Sequence, residues 1–399
     1  PHKPFALMSA AFHDNPQREL KLIAITGTDG KSSTADILHQ LLSFEGMPTG
    51  LFSTTSIDDG TGKIPSPYRI STPEANLLYP FLDRCRSNRV EHVIIEATSH
   101  ALSEEYSRLY GLSFEIGIIT TLSGDHIEFH GSKEAYLEAK LSLLDMIRPQ
   151  GHFISSIENQ ELKRCLRRSD PSIHIHILGR DHPYMVEEDT LHSVRGTFEG
   201  RSFTVNLGLS VLATNALLAL LASSVITHKN PVELLPQLAN VRPLKGRMQS
   251  VPNDKGVHII IDYAHTIGAY ERLFSFIRQI RGESRVITVM GAAGGRDKKK
   301  RSVLGSIASK ESDILILTEE DPVYEDLRAI NAMIEEGIAS ETCRVLEIDD
   351  RNLAIAEAIR LAEEGDIVLL LGKGHEQSIQ RTNRSIPWDE EKAVLEVIG

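Results

Sequence analysis

The sequence predicts an α/β protein in which two mainly parallel sheets follow one another along the chain. Short, continuous runs of Ile, Val and Leu alternate with helical patterns, which is typical of parallel strands covered on both faces. The pattern begins at residues 22–25 and starts again after Pro243. A glycine-rich loop joins the first strand to a helix, and such loops favour phosphate.

The elements follow in order. The first domain is predicted to hold strands at residues 22–25, 93–95 and 116–121 and helices at 33–44 and 133–147, whereas residues 151–210 are less periodic and predict a more antiparallel region. The second domain has five candidate strands, at residues 258–262, 286–290, 314–318, 344–348 and 367–371. A proline and a glycine lie between the two blocks, so we place domains at 21–244 and 245–399.

Composition excludes several classes of protein. With 43 basic and 55 acidic residues, the formal net charge of −12 argues against a generic binder of nucleic acid or of an anionic membrane. The longest apolar run, residues 216–226, is too short and too interrupted by serine for membrane insertion. The three cysteines form no CxxC pair, which is typical of buried thiols in a reducing compartment. We expect a cytoplasmic protein without a nucleic-acid partner.

The loop after the first strand is predicted to bind phosphate. Its backbone N–H groups and the following helix N-terminus favour phosphate oxygens. Lys31 is placed to reach the β- and γ-phosphates and the Ser32 hydroxyl to bind Mg²⁺. Ile25 stands where the common Walker pattern has a glycine, so the loop is a shorter variant. A plain strand-to-helix turn is the less favoured alternative.

Three further polar residues are candidates for chemistry. Glu96 directly follows a buried strand, where it is suited to bind a metal, and a helix-capping or surface glutamate is the alternative. His126 is either a ligand or a hydrogen-bonded polar group at a strand end. Lys140 shares the apolar face of its predicted helix with Tyr136, and snorkelling, ion pairing and carbamylation by CO₂ stay open.

These residues, with several that follow, resemble the Mur ligase family and within it the members of MurE type. Those enzymes are ADP-forming amide ligases that add the third amino acid to the UDP-MurNAc-dipeptide of peptidoglycan. Each matching segment is weak alone, whereas the ordered set spans nearly the whole chain. The segments are residues 27–32, 71–74, 96–102, 125–130, 136–140, 246–248, 262–266, 296–301 and 372–376.

The resemblance implies a P-loop-type central ATPase domain with a mainly parallel sheet, followed by a Rossmann-like C-terminal α/β domain that binds the amino acid. It implies a monomer that uses ATP, two Mg²⁺ sites and a CO₂-derived carbamate on Lys140. Its substrates would be UDP-MurNAc-L-Ala-D-Glu and a free amino acid. ATP contacts from both domains would let closure exclude water from an acyl-phosphate intermediate.

The resemblance also assigns roles to residues. The implied catalytic set is Lys31, Glu96, His126 and Lys140. One Mg²⁺ would be held by Ser32 and Glu96, and the other by Glu96, His126 and carbamylated Lys140. The implied ATP contacts are Gly27, Thr28, Asp29, Gly30, Lys31 and Ser32, with Asn215 at the adenine and Arg247, Asp262 and His265 from the last domain. The implied substrate contacts are Thr72 and Ser99 for the muramoyl-dipeptide, together with Asp321, Gly372 and Glu376.

The chain departs from the family pattern at the acceptor motif. Diaminopimelate-adding members carry Asp-Asn-Pro-Arg or Asp-Asp-Pro-Arg where this sequence has Val323 in place of the arginine. Valine cannot make the bidentate contact that arginine offers to a second carboxylate. We therefore expect a lysine- or ornithine-like acceptor, with Asp321, Glu325 or Glu376 as the partner of its side-chain ammonium.

A second departure concerns the start of the chain. Residues 1–20 precede the first strand, and they are expected to be a linker or the remnant of a missing N-terminal UDP-binding domain, unless the substrate is not a UDP-sugar. Two alternatives therefore stay open: a ligase for another carboxylate, such as folyl-polyglutamate or a specialised metabolite, and a catalytically inactive nucleotide-binding protein. The basic run at residues 298–301 is predicted to be a solvated helix start near the active site.

Overall fold

The computed structural model describes residues 2–68, 70–122, 130–156, 159–339 and 342–399. The chain divides into two compact units, one formed by Pro1–Asp189 with Ser193–Arg242 and the other by Thr190–His192 with Pro243–Gly399. The main boundary therefore lies between Arg242 and Pro243, two residues before the position inferred from the sequence.

Eight described strands of the first unit form one sheet. They are β1 (Lys21–Thr26), β2 (Thr49–Phe52), β3 (Ser56–Asp58), β4 (Ile64–Pro65), β5 (His92–Glu96), β6 (Phe114–Ile119), β7 (Ile147–Ser155) and β8 (His174–Ile177). Their spatial order is β4-β3-β2-β5-β1-β6-β7-β8. All neighbours from β2 to β8 are parallel, whereas β3 and β4 add antiparallel pairs at one edge.

The helices of the first unit cover this sheet. They are α1 (His2–Phe12), α2 (Lys31–Phe44), α3 (Ala75–Ser87), α4 (Ser99–Leu102), α5 (Lys133–Leu141), α6 (Asn159–Arg168), α7 (Ser210–Thr227) and α8 (Pro231–Leu234), with 3₁₀ turns at Pro16–Arg18, Ser142–Met146 and Leu235–Asn240. Among the described helices, only α7 is long and apolar enough to cross a membrane, and 72% of it is buried inside the protein. Such burial is typical of a core helix.

Two predictions for this unit need correction. The helix predicted at 133–147 ends at Leu141, because the Ser142 hydroxyl donates to the Ala139 carbonyl at 2.7 Å and a 3₁₀ turn then leads into β7. The antiparallel prediction for residues 151–210 is wrong for β7 and β8, which extend the parallel sheet through buried apolar residues. It is confirmed for a separate antiparallel sheet of β9 (Tyr184–Asp189), β10 (Val194–Phe198) and β11 (Arg201–Val205).

The second unit contains the five predicted parallel strands and one antiparallel edge strand. The strands are β12 (Gln249–Val251), β13 (His258–Asp262), β14 (Val286–Met290), β15 (Ile314–Leu317), β16 (Arg344–Glu347) and β17 (Ile367–Leu371), in the order β12-β13-β17-β14-β15-β16. The helices are α9 (Ile267–Ile280), α10 (Lys299–Glu311), α11 (Leu327–Glu335), α12 (Arg351–Leu361) and α13 (Glu390–Ile398). A hairpin of β18 (Ser378–Arg381) and β19 (Arg384–Pro387) precedes α13.

The expectation of a solvated basic run at the start of α10 is wrong for Arg301. Its side chain is fully buried and its guanidinium donates to Glu325 Oε2 at 2.9 Å and to the Ala293 carbonyl at 3.0 Å. A buried cation needs such an anionic partner, because burial removes it from water.

Candidate active site

The glycine loop of the first unit has a backbone that requires glycine at two positions. Gly27 and Gly30 have φ values of +152° and +85°. A Cβ at Gly27 would lie 1.9 Å from Thr120 Oγ1, and one at Gly30 would lie 2.6 Å from Asn215 Oδ1. The loop is therefore closely packed against β6 and α7, so its backbone N–H groups are held in one arrangement.

Lys31 begins α2 directly after this loop. Its ammonium donates to the carbonyl oxygens of Gly27 and Thr28, both at 3.0 Å, so it lies over the loop itself. Gly30, the residue before the helix, has no side chain to cap the first N–H groups of α2. Uncapped N–H groups beside a lysine are suited to an anion such as phosphate. Ser32 follows in the same helical turn and is buried.

Glu96 ends β5 beside the same loop. In the sheet it pairs with Ile25, two residues before Gly27. Its side chain is fully buried, and Thr54 donates to it from its backbone N–H at 2.9 Å and from its hydroxyl at 3.0 Å. Within the described ranges, no basic side chain forms an ion pair with it. Because a buried carboxylate is costly without a cation, Glu96 fits a divalent metal ion.

Lys140 is buried rather than snorkelling to solvent. Its side chain is 2% exposed, and its ammonium lies 4.4 Å from the centroid of the Tyr136 ring. The Tyr136 hydroxyl lies 3.0 Å from Thr28 Oγ1 in the glycine loop. The structure therefore brings Lys140 towards the loop through one aromatic side chain, while His126 lies outside the described residues.

The two predicted dipeptide contacts lie close to these groups. Thr72 Oγ1 donates to the Glu96 carbonyl at 2.8 Å. Ser99 Oγ lies 3.1 Å from His130 Nε2, and the His130 ring is 5.5 Å from the Tyr136 ring. Burial lowers the pKa of His130, which favours its neutral form. No three His, Cys, Asp or Glu side chains converge in the described part of the chain.

The nucleotide contacts predicted outside the loop occupy two places. Asn215 on α7 is buried with its amide against Gly30. In the second unit, the Asp262 carboxylate accepts the backbone N–H groups of Met248 and Ala264, each at 2.7 Å, and so ties two loops together. The Arg247 guanidinium lies 4.7 Å from the centroid of the Tyr263 ring. His265 Nδ1 lies 2.8 Å from the Tyr263 carbonyl.

The predicted acceptor residues of the second unit surround a lysine that the sequence analysis did not select. Lys373 is fully buried, and its ammonium lies 2.7 Å from Asp321 Oδ1, 2.5 Å from Glu376 Oε2 and 2.8 Å from the Ser378 carbonyl. Its position between two glycines after a buried strand was the available signal. Asp321 and Glu376 therefore share one cation.

Two further acids of this region differ in their partners. Glu325 accepts from Arg301 and from the Gly295 N–H, and these hydrogen bonds lower its pKa to about 2. Glu320 is buried over Gly372, and burial raises its pKa. No described residue forms a hydrogen bond or ion pair with the Glu320 carboxylate. Nearby Lys373, Lys300 and Arg351 oppose this rise in pKa. Glu320, which the sequence analysis did not name, is thus a further candidate to receive an external cation.

Val323 lies in a strained conformation beside a cavity. Its φ of +56° is rare for a β-branched residue. Its N–H donates to the Gln380 carbonyl at 2.9 Å, and its own carbonyl accepts from the Thr382 hydroxyl at 2.7 Å. The adjacent cavity of about 390 Å³ is lined by Glu319, Pro322, Val323, Glu325, Leu327, Asp349, Asp350, Arg381 and Thr382.

Comparisons with known proteins agree with this architecture. Residues 25–223 match the Mur ligase middle domain, and residues 246–374 match the Mur ligase, glutamate ligase domain. The UDP-N-acetylmuramyl-tripeptide synthetase of Borreliella afzelii (strain PKo) is 35% identical, with 98% of this chain and 79% of the relative covered.

Two solved structures are also similar. A UDP-N-acetylmuramoyl-L-alanyl-D-glutamate–2,6-diaminopimelate ligase is 25% identical with a TM-score of 0.68, over 99% of this chain and 82% of that chain. A Mycobacterium tuberculosis folylpolyglutamate synthase is 16% identical with a TM-score of 0.74, over 93% and 92% of the two chains, and shows the shared fold alone. Together with the glycine loop and the two α/β units, these matches show that the chain belongs to the Mur ligase family of ATP-dependent amide ligases.

Proposed function

We propose that this protein is a cytoplasmic ligase of peptidoglycan synthesis that joins a free amino acid to UDP-MurNAc-L-Ala-D-Glu with consumption of ATP. The observation that carries the proposal is the grouping of Lys31, Glu96 and Lys140 around the glycine loop, at the carboxyl end of β1. The name of the relative at 35% identity supports the choice of substrate. The folylpolyglutamate synthase match supports only the fold.

In the proposed first step, the D-Glu carboxylate attacks the γ-phosphorus of ATP, and ADP leaves. The glycine-loop N–H groups and Lys31 hold the phosphates in line and stabilise the charge that develops. The product is an acyl phosphate. In the second step the amine of the acceptor attacks its carbonyl carbon, inorganic phosphate leaves, and the amine loses a proton.

Glu96 and Ser32 are proposed to hold one Mg²⁺, and Glu96 with His126 and a modified Lys140 the other. Bound metal would neutralise phosphate charge. Lys140 in its neutral form would take up CO₂ and release a proton, which replaces a cation by an anionic oxygen ligand. Its burial beside Tyr136 supports this role, because the lysine side chain then lies towards the loop that is proposed to hold the phosphates.

The roles proposed for the other predicted residues follow their positions. Thr72 and Ser99 lie near Glu96 and Tyr136 and are proposed to contact the muramoyl-dipeptide. Asn215 is proposed to contact the nucleotide from its place beside Gly30. Arg247, Asp262 and His265 are the proposed nucleotide contacts of the second unit.

The acceptor is proposed to be lysine- or ornithine-like. Val323 offers no charge to a second carboxylate, and Glu320 lacks a described hydrogen-bond partner. Asp321 and Glu376 already share Lys373, so Glu320 is the proposed partner of the acceptor's side-chain ammonium. Gly372 leaves the space that the Glu320 carboxylate occupies.

The test is a ligation assay on the full-length protein with ATP, Mg²⁺ and bicarbonate. UDP-MurNAc-L-Ala-D-Glu is supplied with lysine, ornithine or diaminopimelate in separate reactions, and products are identified by mass. A lysine or ornithine product supports the proposal, and Val323→Arg should then increase the relative use of diaminopimelate. A product only with diaminopimelate contradicts the proposed acceptor. A parallel reaction supplies a folate substrate and glutamate instead, and a product in that reaction alone contradicts the proposed carboxylate.

A further inference from the structure

Arg351 and Glu390 form an ion pair that is buried inside the second unit. Arg351 begins α12 and Glu390 begins α13, and their exposed fractions are 0% and 1%. Arg351 Nε lies 3.0 Å from both carboxylate oxygens, and Nη2 lies 2.5 Å from Oε1. Trp388 Nε1 donates to Oε2 at 2.6 Å. The proposed chemistry does not use this pair directly.

The other donors of the same guanidinium reach two separate loops. Nη1 donates to the Glu319 carbonyl at 3.2 Å, and Nη2 donates to the Leu371 carbonyl at 2.8 Å. Glu319 lies just after β15 and Leu371 ends β17, while β14 lies between these strands in the sheet. Arg351 therefore bridges the carboxyl ends of two strands that are not neighbours.

Beyond these two carbonyls the loops run side by side. The Glu320 carboxylate lies so close to Gly372 that a Cβ there would be 2.6 Å from Oε2. The next two residues, Asp321 and Lys373, form an ion pair of 2.7 Å. Residues 319–321 of one loop therefore lie opposite residues 371–373 of the other. Arg351 joins the first of these pairs, Glu319 and Leu371.

We propose that Arg351 is a positioning residue for the acceptor site. It sets the alignment of the loops that carry Glu320 and Gly372 without touching the substrate. A planar guanidinium holds its donors at fixed separations, so it can bond Glu390 and two carbonyls at once, whereas a lysine ammonium is a point charge without that geometry. The inference rests on the proposed function, because these loops carry the proposed acceptor contacts.

The first test compares Arg351→Lys with Arg360→Lys. Arg360 lies on the same helix but is exposed and pairs with Glu357. We expect R351K to raise the KM of the acceptor amino acid by about tenfold or more, with the KM of ATP changed by less than about twofold. R360K should leave both values unchanged. An unchanged acceptor KM in folded R351K overturns the inference. An equal increase in the KM values of the acceptor and of ATP also overturns it.

A second pair of variants separates positioning from general stability. Glu390→Gln keeps the shape of the partner but weakens its hold on Arg351, so it should raise the acceptor KM without a matching change for ATP. Trp388→Phe removes one donor to Glu390 while Arg351 keeps both carbonyl bonds. It should lower stability with little effect on the acceptor KM. An equal increase in the acceptor KM in W388F and E390Q overturns the inference.

A third measurement needs no activity. Hydrogen–deuterium exchange should become faster in R351K at residues 319–323 and 371–376, and it should stay unchanged there in R360K. Unchanged exchange in both loops of R351K contradicts the inference. If the wild-type protein forms no amide product, the proposed function fails, whereas the exchange result still decides whether Arg351 aligns the loops.

Discussion

The Tyr136 hydroxyl lies 3.0 Å from Thr28 Oγ1, so a side chain of α5 contacts the glycine loop directly. The same ring lies 4.4 Å from the Lys140 ammonium. Thr28 and Lys140 are more than a hundred positions apart in the sequence, and the Tyr136 side chain contacts both. A substitution at Lys140 should therefore alter the conformation of the glycine loop, and a substitution in the loop should alter the position of the Lys140 side chain.

Lys140→Ala is expected to reduce turnover by at least about a thousandfold while the protein stays folded. The reason is that the proposed anionic ligand is lost at a site where charge develops during phosphoryl transfer. Turnover by steady-state kinetics and unfolding by calorimetry check the two parts. Lys163→Ala, at an exposed position of α6, is the control. Normal turnover of K140A would contradict the proposed metal set.

Gly30→Ala is expected to weaken nucleotide binding by about tenfold or more, because the new methyl group would meet the Asn215 amide at 2.6 Å in a left-handed backbone. Gly46→Ala is a matched control, since Gly46 also has a positive φ, +70°, but nothing lies within 4 Å of its Cβ position. The left-handed backbone should cost each variant about 1 kcal/mol of stability, and G30A should lose more because Asn215 must also shift. Calorimetric titration compares the ATP affinities of the two variants. Equal ATP affinity in both would show that the loop tolerates the methyl group.

Glu320→Gln is expected to raise the KM of the acceptor and to flatten its dependence on pH. Burial raises the pKa of Glu320 above its ordinary value of 4.5. A cationic acceptor needs the ionised carboxylate, so its binding should weaken by about tenfold per pH unit once the pH falls below that raised pKa. Acceptor KM values measured across acidic pH check this, with exposed Glu336→Gln as the control. A steep pH dependence that survives in E320Q would exclude Glu320 as the partner.

The stability of the first unit is expected to fall in mild acid because of a histidine pair on β7 and β8. His152 Nδ1 lies 3.0 Å from His176 Nε2, and burial lowers the pKa of each to about 4 from 6.5. Below pH 6.5 the unfolded chain therefore binds more protons than the folded one, and the free energy of unfolding decreases as the pH falls towards 4.

The charged groups around this pair have both signs. Positive charge on His174, His182, His228 and Arg148 opposes protonation of the pair, whereas Asp181 favours it. Denaturant unfolding between pH 7 and pH 4.5 checks the slope. The double substitution His152→Asn with His176→Gln should reduce the pH slope relative to wild type. An identical slope in both proteins would show that other groups cause the acid sensitivity.

Local sequence patterns predicted the parallel strands of the second unit. All five predicted parallel strands of the second unit are confirmed. Four of them are built around continuous buried apolar runs, because strands covered on both faces need apolar residues, whereas the edge strand β16 begins with Arg344, ends with Glu347 and has no buried residue. The sequence pattern did not predict that the helix ends at Leu141, because periodic apolar residues continue into the 3₁₀ turn. The parallel pairing of β7 and β8 also depended on long-range partners rather than on local sequence.

The sequence by itself determined the glycine loop, the order of the motifs and the α/β class, because each depends on the spacing of neighbouring residues. The tertiary structure decided which charged side chains are buried and what they contact. Residue type alone does not distinguish Lys373, Arg301 and Arg351 from exposed basic residues, yet each is buried against an acid from a distant segment. A buried charge is stable only with a specific partner at short distance, and that distance is set by packing rather than by sequence spacing.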